Sequence, residues 1–418
     1  MAFSACRATI SILSLFLIFI AGAVDTKEYI IIPTPQMKAH EKNTLELYLS
    51  LHVGGMDNAY TSIRPGNDIP AYWVASLPAS AFAYLKKQPF VDIVPNGVDD
   101  GEPAGFENQR VNHTSKGISN GLGSGTPVRI HTSLEELRFL SQPPTIPDLV
   151  YVSDYVYSKG LRETFIYLAD TGVNTNYQDF HRRAVEWVYT GLTIMRHRDK
   201  PTDESPDGHG TCVASKAVGN FFGAAKEATL VVVKMPDYSI AATIGSMETM
   251  LDHIAARGRE EASIVLIPWN SRLDETHGLL QNPAIQILRE RFKEMWMKGI
   301  RIVCAAGNHA SLGRRTFSDT APAIFSRSFP VFVVSSCNSD GRASPSSQMA
   351  SLGQELYAPG SGIQCAGPHR PLEYHEASGT SFSAALVAGV LANLLASEQL
   401  PKGMSRHQEI QFVLNKFS

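Results

Sequence analysis

The sequence predicts a large doubly wound α/β domain preceded by a small α+β unit. Two observations carry this. From about residue 131 onward, short apolar runs alternate with helical patterns, the runs being "ETFIYLAD", "ATLVVVKM", "SIVLIPWN", "IRIVCAAG" and "PVFVVSS". Continuous β-rich runs suit parallel strands buried on both faces, and their alternation with helices marks a doubly wound, mainly parallel sheet. Between residues 24 and 96, strand and helix candidates mix on a shorter scale, and a polar stretch separates the two regions. With 418 residues the chain has room for both.

The N-terminal stretch "MAFSACRAT" carries Arg7 and no acid, and "ISILSLFLIFIAGA" follows. Ala21-Gly22-Ala23 supplies the small-x-small pattern of a cleavage site, so residues 1–23 read as a signal peptide cut after Ala23. A membrane anchor is the rival, and the run is short for one. The expected protein is secreted and extracellular, with no membrane attachment once the signal is removed.

In residues 24–96, "EYIIIPT", "AYWVASL" and "FVDIVP" are strand candidates, and "EKNTLELYLSLH" is a helix candidate. A second helix, "PASAFAYLKKQ", opens near Pro78 and places Phe82 and Leu85 three residues apart. Residues 97–130 are rich in Gly, Asn and Ser and read as a linker. No strand precedes the linker's "GLGSG", so it is not a phosphate loop. Asn112-His113-Thr114 is a glycosylation sequon, exposed if the linker is. Residues 131–418 form the large domain, with helices expected at "GTCVASKAVGNF", "SMETMLDHIAARG" and "AIQILRERFKEMWMKG".

A net charge of -3 argues against a polyanion-binding protein, so no nucleic-acid partner is expected. Of five cysteines, Cys6 leaves with the signal. Cys212, Cys304, Cys337 and Cys365 permit two disulfides in an oxidising compartment, in any of three pairings. Cys212, just after a histidine motif, reads first as a buried inert thiol, with a disulfide as the alternative. Neither CxxC nor HExxH occurs, so no metal site is indicated.

The chemistry-bearing residues stand where such sheets bind ligands, beyond the strand ends. Asp170 ends "FIYLAD", His209 lies in "DGHGT", Asn308 ends "IVCAAGN" and Ser381 lies in "SGTSFS". Singly, each has an ordinary role as a turn or cap residue. Together, an acid, an imidazole, a carboxamide and a hydroxyl could converge on one rim.

Here the sequence resembles the subtilisin-like serine proteases, from about Tyr151 to about Leu395. "YLADTGV", "GHGTCVAS", "CAAGN" and "SGTSFSAALVAG" are similar to the family's Asp, His, oxyanion-Asn and Ser motifs, in the family's order. "DGRASPSS" and "LYAPGSGI" resemble weaker segments, and "LKKQPFVDIVP" resembles the end of an inhibitor-like propeptide. The resemblance implies a subtilisin-like sheet and a ferredoxin-like propeptide that acts as intramolecular inhibitor. It implies a monomeric secreted endopeptidase of proteinase K-like type acting on proteins or peptides. Ser381 would be the nucleophile, His209 the base and then the acid, and Asp170 the group that orients the imidazole. Asn308 and the Ser381 N–H would stabilise the oxyanion, the asparagine's share being about 10²–10³ in turnover for a subtilisin. Gly379 would let the substrate backbone approach closely.

Three positions depart from the family pattern. Ala385 stands where the nucleophile helix usually carries proline. Pro268, Trp269 and Asn270 replace a Ser-x-Gly segment lining the substrate cleft, which implies a narrowed or reshaped primary pocket. Asn338 stands where proteinase K-like members often have a calcium-binding aspartate, so no cofactor is expected and calcium stays open and unsupported. The rival function is a catalytically silent protease fold used for binding, against which the complete Asp170, His209, Asn308 and Ser381 set weighs. A lipase or esterase fits poorly, because those typically hold the nucleophile in G-x-S-x-G with the acid after it.

Overall fold

A computed structural model describes residues 25–64, 66–97, 106–107, 127–142, 149–270, 281–312, 315–350, 356–367, 374–400 and 403–417. The expected signal peptide and the Asn112 sequon lie outside these residues.

The first unit runs β1 (Thr26–Pro33), α1 (Ala39–Val53), β2 (Tyr60–Ser62), β3 (Tyr72–Pro78), α2 (Ala79–Leu85) and β4 (Val91–Pro95). Its strands order as β2-β3-β1-β4 with antiparallel neighbours. That βαββαβ arrangement is the ferredoxin-like one. The run Tyr29–Ile32 is buried throughout because both sheet faces are covered. Tyr29 and Ile31 pack with Leu45, Leu49 and Leu85 of the unit's own helices. Ile30 and Ile32, with Tyr72 and Val74, join the core of the large domain.

β5 (Phe106–Glu107) and β6 (Pro127–His131) follow, then α3 (Glu135–Leu140) and β7 (Asp154–Ser158). Both β5 and β6 fall in the expected linker. β6 pairs with β7 and so belongs with the strands that follow it. Val128 and Ile130 alternate with polar neighbours there, and the Gly/Ser-rich surroundings hid that short period.

The large sheet comprises β8 (Phe165–Asp170), β9 (Val185–Tyr189), β10 (Thr229–Lys234), β11 (Ser263–Ile267), β12 (Arg301–Ala305), β13 (Phe332–Cys337) and β14 (Leu356–Pro359). Helices α4 (Gly191–Met195) and α5 (His209–Val218) lie between β9 and β10, and α6 (Ile240–Arg257) and α7 (Pro283–Met297) follow β10 and β11. A hairpin of β15 (Ile363–Ala366) and β16 (Tyr374–Ala377) leads to α8 (Thr380–Ala396) and α9 (Arg406–Phe417). β5 pairs with the β16 edge.

The strand order is β14-β13-β12-β11-β8-β10-β9, parallel throughout, as expected for a doubly wound sheet. Ile166 and Leu168 face α5 and α8, while Phe165, Tyr167 and Ala169 face α6 and α7. The chain lays β9 and β10 on one side of β8 and β11 onward on the other. That reversal opens a crevice at the carboxyl ends of β8, β10 and β11.

Cys212 of α5 and Cys365 of β15 form a disulfide, while Cys304 and Cys337 are free and buried. The first reading of Cys212 as a free thiol is therefore corrected: α5 crosses beside the β15 hairpin, a proximity with no local sequence signal. Among the described residues, no helix is long and apolar enough to cross a membrane.

The small unit sits on α6. Ala241 N–H donates to Asn96 Oδ1 at 2.9 Å and Ile240 N–H to the Gly97 carbonyl at 3.2 Å. These satisfy two of the donors that any helix start leaves unpaired. Arg196 joins Glu28 of β1 to Asp237, ahead of α6.

Candidate active site

β8 delivers Asp170, fully buried, to the crevice, and α5 begins with His209. His209 Nδ1 lies 2.9 Å from Asp170 Oδ2. The close approach of the two segments requires glycine at position 210. A Cβ there would lie 2.1 Å from the Gly172 carbonyl oxygen and 3.0 Å from Asp170 Oδ1. Thr171 N–H donates to Asp170 Oδ1 at 2.8 Å. Beneath them Asp203 accepts from the Thr211 N–H at 2.9 Å, and burial pushes its carboxyl up to about 6.

Burial alone would lower the affinity of His209 for a proton. The Asp170 charge and hydrogen bond outweigh it, helped by Asp207 and Asp203, and the imidazole is held above its ordinary value.

Ser381 is the second residue of α8, whose N-cap is Gly379. Its N–H is therefore one of the first-turn donors with no intrahelical partner. Its hydroxyl donates to the Pro268 carbonyl just past the end of β11. The tight turn at Gly379 is set by its N–H donating to the Gly360 carbonyl at 2.7 Å.

Asn308 follows β12 and is half-buried. Its Oδ1 accepts from the Thr380 N–H at 2.9 Å and the Thr380 hydroxyl at 3.1 Å. With the oxygen turned to Thr380, the Nδ2 donors form the opposite end of the amide. Gly307 before it has φ +109°, and a Cβ there would meet Gln348 Oε1 at 2.1 Å.

The three residues after β11 do different things. Pro268 offers its carbonyl to Ser381. Trp269 turns inward, with its Nε1 donating to the Ala169 carbonyl at 2.8 Å, so its side chain packs in the core and does not line a cleft. Asn270 donates from Nδ2 to the Ala305 carbonyl at 3.2 Å, spanning the ends of β11 and β12. Its Oδ1 is buried and meets no donor among the described residues.

Sequence reading missed Tyr238. Its hydroxyl donates to Asp170 Oδ1 at 2.6 Å, and its ring stands edge-on to His209. The usable signal was its place just beyond β10, the same strand-end position that singled out Asp170.

Asp170 and His209 thus touch, Asn308 bonds Thr380 next to Ser381, and the Phe382 ring on the other side of Ser381 lies 6.0 Å from that of His209, on a parallel sheet of the expected kind. The family described as Peptidase S8, Subtilase family, matches residues 162–417. The chain belongs to the subtilase family. This subtilase is 30% identical over 274 residues to subtilisin-like serine protease Pen ch 13 of Penicillium rubens, covering 64% of this chain and 61% of that protein. It is 30% identical over 259 residues to subtilisin-like protease 1 of Trichophyton equinum, covering 60% of this chain and 45% of that one. The subtilase thus spans about three fifths and under half of these relatives' lengths. The crystal structure of the nisin leader peptidase NisP from Lactococcus lactis aligns at TM-score 0.50 and 15% identity, over 68% of this chain and 88% of that one. At that identity the likeness is one of fold.

Proposed function

We propose that this subtilase is a secreted serine endopeptidase whose nucleophile is Ser381. The 2.9 Å bond between His209 and Asp170, at the same rim as Ser381 and Asn308, carries the reading. A peptide entering the crevice draws the Ser381 hydroxyl from the Pro268 carbonyl toward His209 Nε2. As Oγ forms its bond to the substrate carbonyl carbon, its proton passes to Nε2. Asp170 holds the Nδ1–H tautomer and stabilises the imidazolium. The carbonyl oxygen, now negative, lies between Asn308 Nδ2 and the Ser381 N–H at the positive end of α8. His209 returns the proton to the leaving amine, the C–N bond breaks, and water releases the acyl group by the reverse sequence. No cofactor enters these steps.

In this reading residues 24–96 are a propeptide that docks on α6, inhibits the domain and is then cut off, and the protein acts as a monomer. Slow folding of a long parallel sheet gives such a unit a purpose. The Ala21-Gly22-Ala23 site and the Cys212–Cys365 bond support secretion. Asn270, filling the space between β11 and β12, supports a narrowed primary pocket, with Gly379 leaving room for the substrate backbone.

Expressing the full chain and its Ser381→Ala variant tests the proposal. The expected result is fluorophosphonate labelling and propeptide release only with Ser381 present. Equal processing of both, or of neither, together with no labelling, would leave the silent binding fold as the better account.

A further inference from the structure

We propose that Tyr238 is a positioning residue of this site, dividing the Asp170 carboxylate so that one oxygen serves His209 and the other is held by the phenol. The inference rests on the reading of Asp170 and His209 given above. Asp170 Oδ2 takes the imidazole at 2.9 Å, and Oδ1 takes the Tyr238 hydroxyl at 2.6 Å and the Thr171 N–H at 2.8 Å. A carboxylate bonded on both oxygens cannot rotate, so the imidazole it orients is fixed too.

Tyr238 is itself held. Its ring packs 6.0 Å from that of Trp269, whose indole bonds the Ala169 carbonyl, one residue before Asp170. Asp237 on one side pairs with Arg196, and Ser239 on the other caps α6. Burial and the Asp170 charge keep the phenol protonated, so it acts only as a donor toward the carboxylate. The side chains facing His209 are Asp170 from β8, Asp203 and Asp207 from the segment before α5, Tyr238 after β10, and the uncharged Phe382 ring of α8. Tyr238 thus sets an uncharged hydroxyl donor among these carboxylates, beside the Thr171 N–H on the same Asp170 oxygen. It withdraws part of the Asp170 charge from the imidazole and so restrains the rise in His209 affinity for a proton.

The test is Tyr238→Phe in the full chain, which keeps the ring and removes the hydroxyl. The His209 titration is followed by NMR in a Ser381→Ala background, and kcat/KM is measured in the active chain. Removing the donor is expected to raise the His209 pKa by about half a unit or more, a fraction of the roughly one to two units that a hydrogen bond to a charged group is worth. It should lower kcat/KM about tenfold at neutral pH, with KM little changed and the acid limb displaced upward. Trp269→Phe is expected to lower Tm without moving the titration. An unchanged or lowered His209 pKa in Tyr238→Phe overturns the proposal. The titration needs no turnover, so an inactive chain counts against the endopeptidase reading alone, and the NMR result still decides the role of Tyr238.

Discussion

The Ser62 hydroxyl donates to Glu248 Oε2 across 3.0 Å, joining the end of β2 to the middle of α6. The Tyr72 hydroxyl reaches the same oxygen at 3.4 Å, and Arg64 lies 3.7 Å from the other. Burial raises the Glu248 carboxyl above its ordinary value despite these partners. A group raised by docking contributes its full stabilisation below its undocked pKa and loses it as pH rises through the docked one. Docking of the small unit should therefore weaken between mildly acidic and neutral pH. Glu248→Gln should remove that component, and thermal melts of both chains at pH 4.5 and 7.5 in a Ser381→Ala background measure the difference.

Asn308→Ala should lower kcat by about 10²–10³ with little change in KM, because the amide meets charge that exists only in the transition state. The Oδ1 bonds to Thr380 also go, so a melt must show that Tm falls by only a few degrees.

Asp207→Asn should move the acid limb of kcat/KM to lower pH. Asp207 is one of the charges that hold His209 above its ordinary value. The free imidazole is the active form, so activity is lost as pH falls through the raised pKa, and removing a carboxylate lowers that point. A pH–rate profile from pH 5 to 8 would show it, and a limb displaced upward would contradict the electrostatic picture.

Cys212 sits one turn after His209, and its bond to Cys365 closes a span of 153 residues. Replacing both by alanine should cost about 5 kcal/mol by chain entropy, read as a lower denaturation midpoint under non-reducing conditions. The same α5 carries Lys216, buried and bonded to Glu136 at 2.6 Å, so loosening the helix also threatens a buried ion pair.

The sequence declared some of this and concealed the rest for physical reasons. Asp170 ends β8, His209 begins α5, Ser381 is the second residue of α8 and Asn308 lies three residues past β12, and the pattern of those elements is local. Strands β8, β10, β11, β12 and β13 were visible because burial on both faces leaves an unbroken apolar run, whereas the partly buried β9 and the short β14 leave none. Tyr238 touching Asp170 depends on β10 lying beside β8, although the two residues are 68 apart in sequence. Trp269 looked like a cleft residue because sequence gives its place at the end of β11 but not the side to which its ring turns. The Cys212–Cys365 pairing, and β5 alongside β16, likewise depend on distant partners.

Asn96 and Gly97 reach the start of α6 while still on the same chain as Ser381. As long as that connection is whole, the small unit meets its surface within one molecule, at an effective concentration that bulk dilution does not change. A cut in the tether turns the same contacts into a bimolecular encounter. Dilution then decides occupancy, and the freed Ile240 and Ala241 donors pass to water or to whatever arrives next. Without any change in affinity, one broken peptide bond would make the protein's own abundance the variable that sets how much of the α6 surface is covered.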